Sequence, residues 1–110
     1  MARLSLQTSH AGRTAVIALT GELDLAGAAT LERELAGVDS QAVVVDLREV
    51  GFMDSSGLRA LAVAALRLQG AGRRFALVPG AAQVMRVFDL TRMRERLEFV
   101  ADPREVTSGP

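Results

Sequence analysis

Apolar positions along this chain fall in short runs whose period switches between two and about 3.6, and the order of those periods predicts the fold. Leu4-Ser5-Leu6-Gln7-Thr8 alternates apolar and polar residues, as a half-buried strand does. Ala11-Gly12-Arg13 is a turn signal, and Val16, Ile17 and Leu19 mark a second strand over residues 14–20, so the two runs predict a hairpin. Gly21-Glu22-Leu23-Asp24 breaks the pattern. Ala28, Leu31, Leu35 and Val38 then recur at helical spacing, with Glu32, Arg33 and Glu34 turned outward and Asp39-Ser40 ending the helix.

Ala42-Val43-Val44-Val45-Asp46-Leu47 is an almost unbroken β-branched run, the pattern of a strand covered on both faces. Leu58, Leu61, Ala62, Ala65 and Leu68 form a second helical stripe, closed by Gly70-Ala71-Gly72. Phe75–Val78 reads as a buried strand, Pro79-Gly80 as a turn, Val84, Val87 and Phe88 as a third helix face, and Leu97–Val100 as a last short strand. Asp102-Pro103-Arg104-Glu105 has the form of a helix start, with Asp102 as cap and Pro103 in the first turn. From Thr107 the chain is expected to fray.

This alternation predicts an α/β fold: a mostly parallel sheet of about five strands with an antiparallel edge hairpin, covered by three to four helices. We expect one domain over residues 1–110, with its core at about 3–100 and a short C-terminal tail at 101–110. No internal repeat or linker is evident.

Composition narrows the chemistry. Hydrophobic residues make up 49% of the chain and aromatics 4%, so the core rests on Leu, Val, Ala and Met, and an aromatic platform for single-stranded nucleic acid is not expected. The 13 basic residues, all Arg, balance 13 acids and are dispersed among them, which argues against nucleic-acid or anionic-membrane partners. Without Cys, and with His10 as the only His, neither thiol chemistry nor a His-based metal site is expected. No run is long enough to span a bilayer and no leader pattern is visible, so a cytoplasmic protein is expected.

The stretch of most interest is Phe52-Met53-Asp54-Ser55-Ser56-Gly57-Leu58, which joins a strand-like run to a helical one. Backbone N–H groups at such a junction lack helical partners, which suits a cap or an anion. Asp54 or Ser55 can cap the helix, for about 1 kcal/mol, and Gly57, without a Cβ, admits a close approach to its first turn. A phosphate on Ser55 would sit at the positive end of the helix dipole, and Asp54 would oppose its charge. By spacing alone, an ordinary capped helix is the better explanation, since Ser-rich caps are common, and the motif by itself is a weak signal.

Enzyme readings fare poorly. A Ser/His/Asp hydrolase needs a base beside the serine, and only His10 is available; the residues around Ser55 also lack the Gly-x-Ser-x-Gly elbow. No phosphate-loop Lys or Gly-x-Gly-x-x-Gly exists, and Asp24 with Asp54 makes a poor metal site. We therefore expect no enzyme activity, cofactor or metal.

Three segments resemble the STAS-domain family, specifically bacterial anti-sigma-factor antagonists. Leu19–Asp24 is similar to the family's loop after the second strand, Val45–Leu47 with Phe52–Leu58 to its phosphorylation signature, and Val84–Leu90 to its third helix. The resemblance spans residues 3 to about 100. It implies a partner switch. The unphosphorylated antagonist binds a GHKL-type anti-sigma factor and so frees a sigma factor. The anti-sigma factor, also a serine kinase, phosphorylates the antagonist and releases it, and a PP2C-type phosphatase resets it. It implies Ser55 as phosphoacceptor, with Asp24, Asp54, Ser56 and Gly57 around it, and a monomer when free. Three departures from the family pattern stand out: Arg92 replaces a frequent Gly after the third helix, the last helix is expected to be short or missing, and Leu25-Ala26-Gly27 replaces His and polar residues after Asp24.

Arg59, Val63 and Arg67 project away from the buried stripe of the second helix, on the same element as Ser55, and are the candidate partner contact. A phosphorylation-independent adaptor in a transporter complex or signalling scaffold is the alternative with the same fold. A single uninterrupted domain with intact Asp54-Ser55-Ser56-Gly57 favours the switch.

Overall fold

The chain is described here by a computed structural model covering residues 3–107. The hairpin forms as the alternation predicts: β1 (Ser5–Ala11) and β2 (Thr14–Leu23) pair antiparallel across Gly12. There follow α1 (Leu25–Ala36), β3 (Ala42–Met53), α2 (Ser55–Gly70), β4 (Arg74–Val78) and α3 (Ala82–Leu90), then a 3-10 turn (Met93–Glu95), β5 (Glu98–Phe99) and α4 (Arg104–Thr107). The sheet has five strands in the order β1-β2-β3-β4-β5, parallel except for β1 against β2.

Alternation within each strand separates two faces. Ala15, Ile17 and Leu19 of β2, Val43, Val45 and Leu47 of β3, and Phe75 and Leu77 of β4 line one face. Leu31 and Leu35 of α1, Leu61, Ala65 and Leu68 of α2, and Val84 and Phe88 of α3 pack into the same cluster. Three successive parallel crossovers thus place α1, α2 and α3 on one side of the sheet. Each fully buried Leu or Phe there stabilises the fold by about 1.5–3 kcal/mol relative to exposure.

The opposite face is thinner: Val44, Ala76 and Val78 meet Val100 and Val106, the latter from α4. Burial opposes ionisation of Asp46 on this face, but the Arg48 guanidinium and backbone N–H outweigh it and hold the carboxyl below its ordinary range. Asp102 caps α4 as expected, its Oδ1 accepting from the Arg104 N–H at 2.8 Å, and Glu105 reaches back to the N–H groups of Ala101 and Asp102. The Arg104 side chain and N–H pull the Asp102 carboxyl down to about 2.

Several boundaries differ from the sequence reading. Thr107 is the last residue of α4 rather than the start of a frayed tail, and residues 108–110 of the expected tail lie outside the described residues. α1 ends at Ala36, so Val38 is buried beyond the helix. Ala62 is half-buried, whereas Ala60 and Ala64 are buried where α2 faces α1. β5 keeps only Glu98 and Phe99 in the ladder, although Leu97 and Val100 are buried.

The largest difference positions the functional site. β2 does not stop at Thr20, nor β3 at Leu47: they continue together to Leu23 and Met53, through register shifts at Ala18/Thr20 and Gly21/Glu22. β4 ends at Val78 opposite Asp46, so β2 and β3 run on as a two-stranded ribbon. Gly21 makes this possible: its φ is +112°, and a Cβ there would lie 2.2 Å from the carbonyl oxygen of Arg3. Arg48, Glu49, Gly51 and Phe52 are exposed, so the ribbon carries no clean apolar alternation.

Arg92 is the one non-glycine residue with positive φ among the described residues, at φ 60° and ψ 16°, two residues past the end of α3. A side chain in this left-handed region costs roughly 1–2 kcal/mol, part of which the greater freedom of an unfolded Gly would offset. Arg92→Gly is therefore expected to raise the unfolding free energy by about 0.5–1 kcal/mol. Urea denaturation measures it; a lower midpoint would mean that the Arg side chain contributes more than its backbone strain removes.

Candidate functional site

The ribbon delivers two similar strand-to-helix junctions to one edge of the molecule. Leu23 and Met53 are register partners, and each is followed by an extended Asp that caps the next helix. Asp24 Oδ1 accepts from the Gly27 N–H at 2.9 Å. Asp54 Oδ1 accepts from the Ser56 and Gly57 N–H groups at 2.9 and 3.4 Å. Both caps are thus followed three residues later by a glycine without room for a side chain. A Cβ on Gly27 would lie 2.5 Å from the Glu22 carbonyl oxygen, and one on Gly57 would lie 2.5 Å from that of Leu23. The paired motifs, Leu23-Asp24-Leu25-Ala26-Gly27 and Met53-Asp54-Ser55-Ser56-Gly57, went unnoticed in the sequence because five residues are too few to register as a repeat.

These contacts decide what the junction can do. The missing Cβ of Gly57 admits the protein's own β2, not an external ligand. The first-turn N–H groups of Ser56 and Gly57 are already bound to Asp54, so this end of α2 offers no open amide cradle for an anion. With Asp54 as the cap, Ser55 is released from capping. It is the first residue of α2, it is exposed, and its hydroxyl makes no hydrogen bond among the described residues. Ser56 is half-buried and lines a groove between α1 and α2.

That groove, of about 320 Å³, is formed by Leu25, Ala28 and Glu32 from α1 and Ser56, Arg59 and Val63 from α2. A smaller cleft continues it past Val63 to Arg67. The structure therefore brings Ser55, Ser56, Arg59, Val63 and Arg67 onto one helix beside Asp24 and its neighbour Leu25. α2 contains two Arg and no acid, and neither Arg59 nor Arg67 has a side-chain partner among the described residues. Val63 is 50% exposed.

Sequence reasoning missed three apolar residues near this surface. Leu25, 74% exposed, is the α1 counterpart of Ser55. Phe52 is exposed at the end of β3, and Leu66 projects from α2 into a depression shared with Met93 and Arg96. The pairing of the two Asp-x-x-Gly motifs points to Leu25; Phe52 opens the junction stretch, but nothing in the local pattern marks it as exposed. On the far side of Asp24, Glu22 keeps a buried Oε1 without a partner, in a depression lined by Arg3 and Arg33.

His10 pairs with Ala15 at the other end of β2, eight residues from Leu23, and is thus about 25 Å of strand away from the serines. It is out of reach as a base for Ser55. No group of three or more potential metal-ligating side chains is assembled among the described residues, and no helix there is long and apolar enough to cross a membrane.

A family model described as Mlab, STAS domain matches residues 6–100. The chain belongs to the STAS-domain family. The search of curated proteins returned no match. Among solved structures, an anti-sigma factor antagonist from Mycobacterium paratuberculosis superposes with a TM-score of 0.85 at 24% identity, over 96% of this chain and 92% of that one. SpoIIAA in its unphosphorylated form gives 0.77 at 20% identity over 93% of both chains, and the phosphorylated form of this Bacillus cell fate determinant gives 0.72. A sulfate transporter family protein from Wolinella succinogenes gives 0.69 at 16% identity over 79% of this chain and 76% of that one. At these identities the likenesses establish the STAS fold, with its mixed five-stranded sheet.

The close packing at Gly57 yields a stability prediction. Gly57→Ala forces a Cβ against Leu23 and Met53 and is expected to cost about 1–3 kcal/mol. Gly70→Ala, at the open end of the same helix, meets nothing within 4 Å and is expected to gain up to about 1 kcal/mol. Thermal or urea denaturation of the two variants checks the contrast, which equal effects would contradict.

Proposed function

We propose that this STAS-domain chain is an anti-sigma-factor antagonist switched by phosphorylation of Ser55. One observation carries the reading: Asp54 does the capping, which leaves an exposed hydroxyl at the head of a helix whose outer face bears Arg59, Val63 and Arg67. A serine retained only as a cap would have its oxygen on the first-turn amides. The antagonists that share the fold support the same role.

Unphosphorylated, the α2 face and the α1–α2 groove dock a GHKL-type anti-sigma factor, with Val63 and Leu25 against apolar surface and the two Arg against acids. The sigma factor held by that protein is released. The anti-sigma factor, acting as serine kinase, transfers the γ-phosphoryl group of ATP to Ser55 Oγ; the bond to ADP breaks and the hydroxyl proton leaves. A PP2C-type phosphatase hydrolyses the ester, returning Ser55 and inorganic phosphate. The antagonist itself acts as a monomeric cytoplasmic binding protein, not an enzyme.

A new charge of about −1.5 to −2 beside Asp54 and Asp24 repels an acidic partner, while the helix dipole keeps the fold unperturbed. Lost contacts and repulsion amounting to about 2–4 kcal/mol weaken binding roughly 30- to 1,000-fold.

Affinity capture from a lysate, read by quantitative mass spectrometry, tests the switch. The parent chain is expected to retain a GHKL-type ATPase that Ser55→Asp loses. If both forms capture the same transporter or scaffold proteins, Ser55 is a bystander and the adaptor role is correct. Val63→Asp separately tests the docking face. It is expected to weaken binding to the captured ATPase at least tenfold with a thermal midpoint within about 2 °C of the parent, since the side chain is half exposed. Normal affinity would remove α2 from the interface.

A further inference from the structure

Arg59 stands one turn after Ser55, at the i+4 position, where Cβ atoms lie about 5–6 Å apart. The order is the favourable one, with the acidic group nearer the helix N-terminus. Both residues are exposed and neither side chain has a partner among the described residues. The surrounding acids leave Arg59 available. Asp54 Oδ1 is engaged by the Ser56 and Gly57 amides, Asp24 Oδ1 by the Gly27 amide, and Glu32, across the groove on α1, makes no ion pair with Arg59.

We infer that phosphorylated Ser55 captures Arg59 on its own helix, so the switch withdraws a cation from the docking surface as well as adding negative charge to it. The inference rests on Ser55 as the phosphoacceptor and deepens that reading. A phosphate has the oxygens to take two guanidinium N–H groups at once, which Glu32 across the groove does not do in the unmodified chain. The captured Arg59 lies back toward the head of α2 and no longer projects beside Val63. The partner therefore loses its contact with Arg59 without any change in the fold. Arg67, three turns from Ser55 and about 18 Å along the axis, stays on the surface in both states.

The test uses the full chain carrying phosphoserine installed synthetically at position 55, in the parent and in Arg59→Gln, Arg59→Lys and Arg67→Gln. Phosphorus NMR follows the second ionisation of the phosphate, ordinarily near pH 6. The midpoint is expected about 0.2–0.4 pH unit lower in the parent than in Arg59→Gln, with the gap closing in 1 M salt. Arg59→Lys is expected to keep part of the effect, and Arg67→Gln to match the parent. Coincident midpoints for the parent and Arg59→Gln overturn the inference. Because the phosphate is placed chemically, the titration reads the same whether or not a kinase modifies Ser55 in the cell. A failure of the capture experiment above and a failure here are thus separate results.

Discussion

The first turn of α2 lies directly on the backbone of Leu23, and the geometry of the site follows from that contact. Gly57 permits it because any side chain would meet the Leu23 carbonyl oxygen at 2.5 Å. The Asp54 N–H donates to that same carbonyl, at 3.4 Å, so the end of β2 is joined to the head of α2 by packing and by a hydrogen bond. Asp54 is thereby held in the extended conformation a cap requires, and its carboxylate takes the amides that Ser55 could otherwise have bound. The exposure of Ser55 is a consequence of this arrangement rather than a property of serine at a helix start. The same logic, with Gly27 against Glu22, sets Asp24 and Leu25 beside it.

A helix head held this firmly suits modification better than ligand binding. Asp54 holds the Ser56 and Gly57 amides and only the Ser55 N–H is left unbonded among the described residues, so small anions find no cradle, but a covalent phosphate needs none. The helix dipole would offset part of the charge a phosphate adds. Leu58, Leu61, Ala65 and Leu68 remain in the core whatever happens on the outer face. A phosphate on Ser55, as proposed, would therefore leave this packing in place. The division is visible in α2 itself: its apolar stripe is buried, while Arg59, Val63, Leu66 and Arg67 point outward.

Periodicity was enough to read the element order and the buried stripes, because the helix-bearing face of the sheet buries nearly every alternate residue. It failed where structure depends on something other than burial. The ribbon formed by the ends of β2 and β3 was invisible because Gly21, Arg48, Glu49 and Gly51 break the alternation, yet backbone pairing to Met53 persists. The missing Cβ of Gly57 predicts a close approach to the first turn, and the approaching group is Leu23 of the chain itself. Ser55 and Asp54 were legible as a junction, and the choice of cap between them was not, since both residue types can fill it. Leu25 is visible in the sequence only as an apolar residue after Asp24; such a residue at a helix start ordinarily belongs to the core, and only the third dimension turns it outward beside Ser56 and Arg59.

The two sides of the sheet also divide the labour of the fold. Three helices cover one face and build nearly all of the core, whereas a four-residue α4 with Val106 closes the other. The exposed apolar residues do not cluster on that thin side. Among the described residues, four of the five exposed large hydrophobics, Leu25, Phe52, Val63 and Leu66, belong instead to α1, α2 and the ribbon, the elements nearest the paired caps, while the fifth, Leu90, ends α3. Stability alone gives no reason for this placement, since an exposed Leu or Val adds little to a folded monomer. Apolar side chains beside unpaired arginines and a free hydroxyl are what a reversible protein interface uses: hydrophobic contact for affinity, charge for selection, and a modifiable group to end the contact.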